Sequence, residues 1–309
     1  MRPAILIHGP TASGKTQLSI DVARKLDGEI VNADSMQVYR ELKVISARPD
    51  DAEMDGIPHH LFGHVPASER YSTGQWLEQA RPVIEDIQKR GKTAVVVGGT
   101  GLYLTALTEG LSDIPPVPED VRHDVIEITK AEGLEGLRRR VAEVDPDAAA
   151  RIDANDRQRL ARAYEVWLAT GSSLTSFQNK RSNPVLNGEE WLGVALTPPR
   201  AKLYSRIDKR FEGMLMEGAM EEARALVALG IDGELPAMKA HGMPWLSAFI
   251  RGEIDATTAA DNAKRDTRRY AKRQFTWIGR QFPFWPRIPS TDPGTRVRVV
   301  SALYKEVDR

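Results

Sequence analysis

The chain has 309 residues, of which 41% are hydrophobic and 28% charged, a balance that excludes disordered and fibrous proteins and allows about two folded domains. Lys plus Arg and Asp plus Glu are both 43, so the formal charge is zero and any nucleic-acid footprint has to be local. The absence of cysteine excludes disulfides, thiolate metal sites and thiol nucleophiles, and fits a cytoplasmic protein.

Ala4 to His8 (AILIH) is a continuous apolar run ending in a glycine turn, the pattern of a buried parallel strand. From Lys15 onward Leu18, Val22 and Leu26 recur every four residues, which predicts an amphipathic helix. Glu29 to Ala33 predicts a second strand ending at Asp34, and Thr93 to Val97 a third, running into Gly98-Gly99-Thr100-Gly101. Strands alternating with helices imply an α/β domain with a parallel sheet, whose ligands sit beyond the carboxyl ends of the strands. Three prolines between Ser112 and Glu119 place a domain boundary there. Val121 to Lys130, Leu134 to Val144 and Arg157 to Ala169 then read as helices, and Trp191 to Leu196 as a strand rejoining the first sheet. Residues 114–190 are thus expected to form an all-helical insertion in a core made of 1–113 and 191–309. Arg200 to Leu229 reads as one helix, Leu235 to Pro244 as a loop, and Asp255 to about Arg280 as a long helix. No run of about 18 apolar residues and no leader pattern occurs, so neither a signal peptide nor a membrane partner is expected.

Gly9-Pro10-Thr11-Ala12-Ser13-Gly14-Lys15-Thr16 fits G-x-x-x-x-G-K-[ST] between a predicted strand and a predicted helix. Backbone N–H groups and a helix N-terminus would wrap phosphates, Lys15 would neutralise them, and the Thr16 hydroxyl could ligate Mg2+. The ligand is therefore expected to be a polyphosphate or pyrophosphate. A phosphoryl-transfer enzyme also places a carboxylate at a hydrophobic strand end, but Thr93 to Val97 ends in Gly-Gly-Thr. The available acid is Asp34, which by spacing alone could be a general base, a helix cap or a metal-shell residue.

The motifs GPTASGKT, NADSMQVYREL, VGGTGLYLTAL, DRQRLARAYEVW, RIDKRFEGML and RRYAKRQFTW stand in an order and spacing that resemble the tRNA dimethylallyltransferases. The resemblance spans nearly the whole chain, and six separated motifs make it specific. It implies a P-loop NTPase-like parallel sheet with flanking helices, interrupted by a helical insertion that grips the anticodon stem. It further implies transfer of a dimethylallyl group from dimethylallyl diphosphate to N6 of the adenosine at position 37 in tRNAs reading codons that begin with U.

Carried over residue by residue, the resemblance puts the diphosphate on Gly9 to Thr16 with Mg2+, Lys15 and Thr16 stabilising a leaving group. It makes Asp34 the general base at the target amino group and brings Thr100 to the same nucleotide, within possible reach of the diphosphate. Arg210 matches a diphosphate-binding basic residue, with Arg206 as its neighbour and competitor. It implies tRNA contacts at Asp34, Ser35, Met36 and Gln37, at Thr100 and Arg122, at Gln158, Arg159, Leu160, Ala161 and Arg162, at Lys239, Ala240, His241, Gly242, Met243 and Pro244, and at Lys272, Arg273, Gln274, Phe275, Thr276 and Trp277.

The residues support an RNA surface independently. Lys264, Arg265, Arg268, Arg269, Lys272 and Arg273 recur at helical spacing, opposed within that stretch by Asp266 alone and interleaved with Tyr270, Phe275 and Trp277. His59 and His60 are adjacent and so point to different sides of an extended chain, which marks packing or loop residues in place of a metal pair. The chain departs from the family pattern at Glu41 to Pro49, where Ser46 keeps a hydroxyl and Arg48 a charge that would preserve tRNA contact. It departs again at Ala240 to Met243, where an aromatic is lost. Three rivals remain at this level: an adenylate isopentenyltransferase, a nucleotide kinase and an RNA-binding module without catalysis. A monomer is expected, because tRNA accounts for the exposed basic surface.

Overall fold

In the computed structural model, which describes residues 2–308, the strands β1 (Ala4–His8), β2 (Gly28–Asn32), β3 (His59–His60), β4 (Thr93–Gly98), β5 (Trp191–Leu196) and β6 (Arg287–Ile288) form one parallel sheet. Its order is β3-β2-β4-β1-β5-β6, with Leu6 opposite Val96 on one side and Gly193 on the other. The central strands are buried throughout, as continuous apolar runs in a two-sided parallel sheet must be. The parallel β-sheet between helices is the P-loop NTPase-like arrangement.

The helices follow in chain order. They are α1 (Lys15–Lys25), α2 (Asp51–Met54), α3 (Thr73–Lys89), α4 (Gly101–Glu109), α5 (Glu119–Val144), α6 (Pro146–Arg151), α7 (Arg157–Thr170), α8 (Leu174–Gln178), α9 (Arg200–Met216), α10 (Ala219–Ala228), α11 (Met243–Ile250), α12 (Ala256–Gln281) and α13 (Pro293–Val307). Ser72 opens α3 with a capping box to Gln75, and Trp76 one turn in donates from its indole nitrogen to the Asn32 carbonyl at 2.8 Å while stacking on Tyr103. On the α1 side of the sheet, Ile5, Ile7, Leu18, Val22, Val95 and Val194 pack with Val300 and Tyr304 of α13. Burying side chains of this size stabilises the fold by about 1.5–3 kcal/mol each.

The chain divides into two compact units, one made of residues up to Thr108 and from Val185 onward, the other Glu109–Pro184. The expected boundaries at 113/114 and 190/191 thus sit five to six residues later than these divisions. The smaller unit has its own core of Val125, Leu137, Val141, Leu160, Ala163 and Val166. Its buried Asp145 caps α6 through the Ala148 N–H and accepts from the Thr175 N–H and hydroxyl at 2.9 and 2.8 Å, which ties α6 to α8.

Of three local expectations, one changes. The reading of Arg200 to Leu229 as one helix fails at Gly218, whose φ of 105° is open to glycine and breaks the run into α9 and α10. Of the packing and loop readings of His59 and His60 the first holds: they make a short strand beside β2, and His60 Nε2 lies 2.9 Å from the buried Glu29 carboxylate, which Arg90 also grips. Those hydrogen bonds hold Glu29 down at a pKa of about 2, the Arg90 contact contributing most. Val121 to Lys130 and Leu134 to Val144 remain two helical stretches, because Gly133 between them, with φ of 69°, is not helical and divides α5.

Candidate active site

The phosphate loop rises from the end of β1 and turns into α1 through Gly14, whose φ of 87° sits in the left-handed region. That turn leaves the first amides of α1 without an intrahelical partner, at an end that favours anions. The Ser13 hydroxyl is buried and has no hydrogen-bond partner. Lys15 donates to the Pro10 carbonyl at 3.0 Å, and Arg210 of α9 reaches across to the Thr11 hydroxyl at 2.7 Å. Burial, only partly offset by Asp34, lowers the Lys15 ammonium to about 8, and Arg210 is also lowered by burial. Two cations thus face one loop with no ion pair to either among the described residues.

Beside the loop, β2 ends in Asn32, whose amide holds the backbone of Asp34 in both directions: Oδ1 accepts from the Asp34 N–H at 2.8 Å and Nδ2 donates to its carbonyl at 3.1 Å. Asp34 Oδ1 then accepts from the Met36 N–H at 3.0 Å. This is a local turn and no helix follows it, which removes the helix-cap reading of Asp34. Oδ2 has no hydrogen bond and looks toward Gly99. Thr100 lies where β4 hands over to α4. Its hydroxyl accepts from the Ser35 N–H at 2.9 Å and donates to Ser35 Oγ at 3.1 Å, so it fixes the acid turn and is not among the residues that line the cavity.

A cavity of about 300 Å³ joins these parts, lined by Thr11, Ala12, Gly14, Lys15, Thr16, Asp34, Gln37, Arg206 and Arg210, with Ile30, Phe62 and Val97 also in its wall. A smaller cavity opens from the same region and is walled by Asp34, Met36, Arg210, His241 and Tyr270. The His241 ring lies 4.1 Å from that of Tyr270, and burial lowers its pKa to about 4, so the imidazole is neutral near pH 7. The segment 240–243, which lacks the aromatic of the expected pattern, still sets one ring against Tyr270. Ser46 also lines both cavities, whereas Arg48 is turned inward onto the carbonyls of Tyr39 and Arg40 at 3.0 and 3.2 Å. The expectation that Arg48 offers its charge to RNA is corrected by that geometry.

Other expected contacts separate by burial. Leu160, Ala240 and Met243 are buried to 0–1% exposure, and Gln274 to 4%. Such side chains pack and present nothing to a macromolecule, which corrects their place in the tRNA-facing set. Gly9, Pro10 and Gly242 are buried as well, while Lys239, Pro244, Lys272, Arg273 and Thr276 are exposed and Ser35, Phe275 and Trp277 half-buried. Arg122, Gln158, Arg159, Ala161 and Arg162 lie in the smaller unit, where α7 exposes Gln158 and Arg159 and brings Arg162 into the field of Arg122. The basic stripe of α12 is shorter than its sequence implies. Lys264 pairs with Glu212 at 2.6 Å and Arg268 with Asp208 at 2.5 Å, both from α9, and Arg265 lies over the Trp245 ring. Lys272 and Arg273 carry the unneutralised charge.

Known proteins resemble the chain along nearly its whole length. The IPP transferase profile matches residues 37–281 and the isopentenyl transferase profile residues 3–62. The tRNA dimethylallyltransferase of Hyphomonas neptunium is 67% identical over 308 residues, covering 100% of this chain and 98% of that protein. That of Caulobacter sp. is 50% identical, covering 94% and 93%. Among solved structures, the tRNA isopentenylpyrophosphate transferase of Bacillus halodurans is 33% identical with a TM-score of 0.70, covering 99% of this chain and 98% of its own. A eukaryotic dimethylallyltransferase acting on tRNA is 30% identical with a TM-score of 0.74, covering 90% and 70%. With a phosphate loop facing an acid-bearing turn and a likeness that runs the length of the sequence, the chain belongs to the IPP transferase family.

Proposed function

We propose that the protein transfers the dimethylallyl group of dimethylallyl diphosphate to N6 of the adenosine at position 37 of tRNAs reading codons that begin with U, releasing diphosphate. The observation that carries this reading is the cavity lined at once by Lys15 and Arg210 and by Asp34. A leaving group and a nucleophile have to meet there, and phosphoryl transfer lacks its strand-end acid. The allylic C–O bond breaks, the N6–C bond forms, and the amino proton passes to Asp34 Oδ2 and from there to water. Lys15, Arg210 and the α1 amides stabilise charge on the departing diphosphate. Asp34 orients a poorly nucleophilic amine and accepts its proton.

A magnesium ion suits the residues present. Thr16 offers its hydroxyl to the cavity, and no cluster of three His, Asp or Glu able to cage a cation occurs among the described residues. This donor set fits an ion that arrives on diphosphate oxygens, held through the Thr16 hydroxyl while keeping several waters. When bound it neutralises developing negative charge on the leaving group.

For the acceptor, we assign the exposed Lys272, Arg273 and Thr276 of α12, the exposed Lys239 and Pro244, and the smaller unit's Arg122, Gln158, Arg159 and Arg162 to the anticodon stem-loop. The protein acts as a monomer in the cytoplasm. No helix among the described residues is long and apolar enough to cross a membrane. The test offers labelled dimethylallyl diphosphate and Mg2+ to unmodified tRNA and free AMP together, with mass analysis of the nucleosides. N6-dimethylallyladenosine in tRNA supports the reading; label in AMP alone, or in neither, overturns it.

A further inference from the structure

The inner face of α12 is occupied by Tyr270, Gln274 and Trp277, four and three residues apart, which a helix places on one side. All three bear on the loop that follows β4. The Tyr270 hydroxyl donates to the Gly99 carbonyl at 3.4 Å, and a side chain on Gly101 would collide with the Trp277 indole. Gln274 does more than pack. Its Nε2 donates to the Gly99 carbonyl at 2.9 Å while its Oε1 accepts from the Thr11 N–H at 2.9 Å. One buried amide therefore bridges the phosphate loop, which holds the leaving group, and the loop behind Asp34 and Thr100, which holds the acceptor.

We propose that Gln274 is a positioning residue for prenyl transfer, and that its bridge sets the separation of the donor and acceptor halves of the site. The inference rests on the reaction read above. Thr11 is gripped twice, through its N–H by Gln274 and through its hydroxyl by Arg210, so α12 and α9 jointly fix the edge of the phosphate loop. The Gly98 carbonyl is independently taken by His8 Nδ1 at 3.0 Å, which leaves Gln274 with Tyr270 as the partners of the next carbonyl along. Displacing reacting atoms by about 1 Å lowers a rate on the order of 100-fold, so a strut of this kind acts on the rate more than on affinity.

An amide accepts and donates at once; an ionised carboxylate only accepts; a protonated carboxylic acid does both. Burial raises the pH at which a carboxyl ionises, so Gln274→Glu becomes an anion toward the alkaline end, where it keeps the bond from the Thr11 N–H and sets that charge against the Gly99 carbonyl. Lowering the pH restores an O–H donor. We expect kcat for tRNA prenylation to fall on the order of 100-fold at pH near 8, with tRNA affinity by filter binding and the donor KM little changed. The ratio of variant to wild-type kcat then climbs as pH falls. Gln274→Leu loses both bonds and shows no such recovery.

The proposal is overturned if Gln274→Glu keeps the wild-type kcat at every pH. It is equally overturned if both variants lose the same activity without pH dependence, the mark of packing alone, or if the loss is confined to tRNA affinity, the mark of an RNA contact. Should the leucine variant fail to fold, the pH dependence of the glutamate variant still decides. A wild-type enzyme that prenylates no tRNA defeats the functional reading; an active wild type with an unaltered Gln274→Glu defeats this inference only.

Discussion

In the phosphate loop, Lys15 and Arg210 stand without a carboxylate bound to either, and the Ser13 hydroxyl has no partner. In the turn at Asp34, Asn32, Ser35, Met36 and Thr100 are tied together by hydrogen bonds that leave Asp34 Oδ2 open. The first region carries buried positive charge that a ligand has to complete. The second is finished without a ligand and presents one oxygen. Donor recognition should therefore be electrostatic, pH-sensitive and tolerant of small movements, and acceptor activation should depend on one atom held in place.

The largest test of that contrast is Asp34→Asn. The amide retains the bond from the Met36 N–H and loses the proton acceptor, so prenyl transfer should fall by about 10²–10⁴-fold. Equilibrium binding of dimethylallyl diphosphate should be no weaker, because a negative charge near the anion site has been removed. Weaker donor binding together with lost activity would assign Asp34 to the donor half.

Arg210→Met comes next. Losing a charge-assisted bond is worth about 1.5–3 kcal/mol, which predicts kcat/KM for the donor lower by roughly 10–100-fold and tRNA affinity unchanged. Steady-state kinetics at saturating tRNA measure it.

The pH profile sharpens the comparison further. Burial places the free Lys15 near 8, below the ordinary lysine value, so its cation is present below that pH and lost above it. Diphosphate binding needs the cation, so kcat/KM for the donor should bend downward above about pH 8, since this parameter reports the free enzyme. Lys15→Arg should remove that bend, because a guanidinium does not deprotonate in this range. A bend that survives the substitution would belong to another group.

The smallest effect concerns the outer surface. Lys272→Ala should weaken tRNA binding modestly and reduce the salt slope by about one, leaving the donor KM untouched. An unchanged slope would move the RNA track elsewhere on the unit.

The elements that place the site were legible because they rest on local rules. Apolar runs at Ala4–His8 and Thr93–Val97, a glycine-rich turn before Lys15 and the long periodic stretch after Asp255 signal their structures within a few residues. Bridges formed across the fold were not legible. Gln274 sits 263 positions from Thr11 and reads as one more polar residue in a basic helix. The pairing of Lys264 and Arg268 with Glu212 and Asp208 was invisible for the same reason. Segment 240–243 read only as the loss of an aromatic, because the contact of His241 with Tyr270 forms across the fold. Asp34 could not be assigned by spacing between base and cap; only the turn around it, without a following helix, separates the two.

The central claim is that the phosphate loop holds a leaving diphosphate and not a phosphoryl group in transit. It is tested most directly by counting products in one reaction containing dimethylallyl diphosphate, Mg2+ and unmodified tRNA. The account predicts one diphosphate released for each N6-dimethylallyladenosine formed, and none of that nucleoside from a tRNA with guanosine at the target position. Diphosphate release without modified nucleoside, or ATP-dependent phosphorylation of the tRNA in its place, would contradict it.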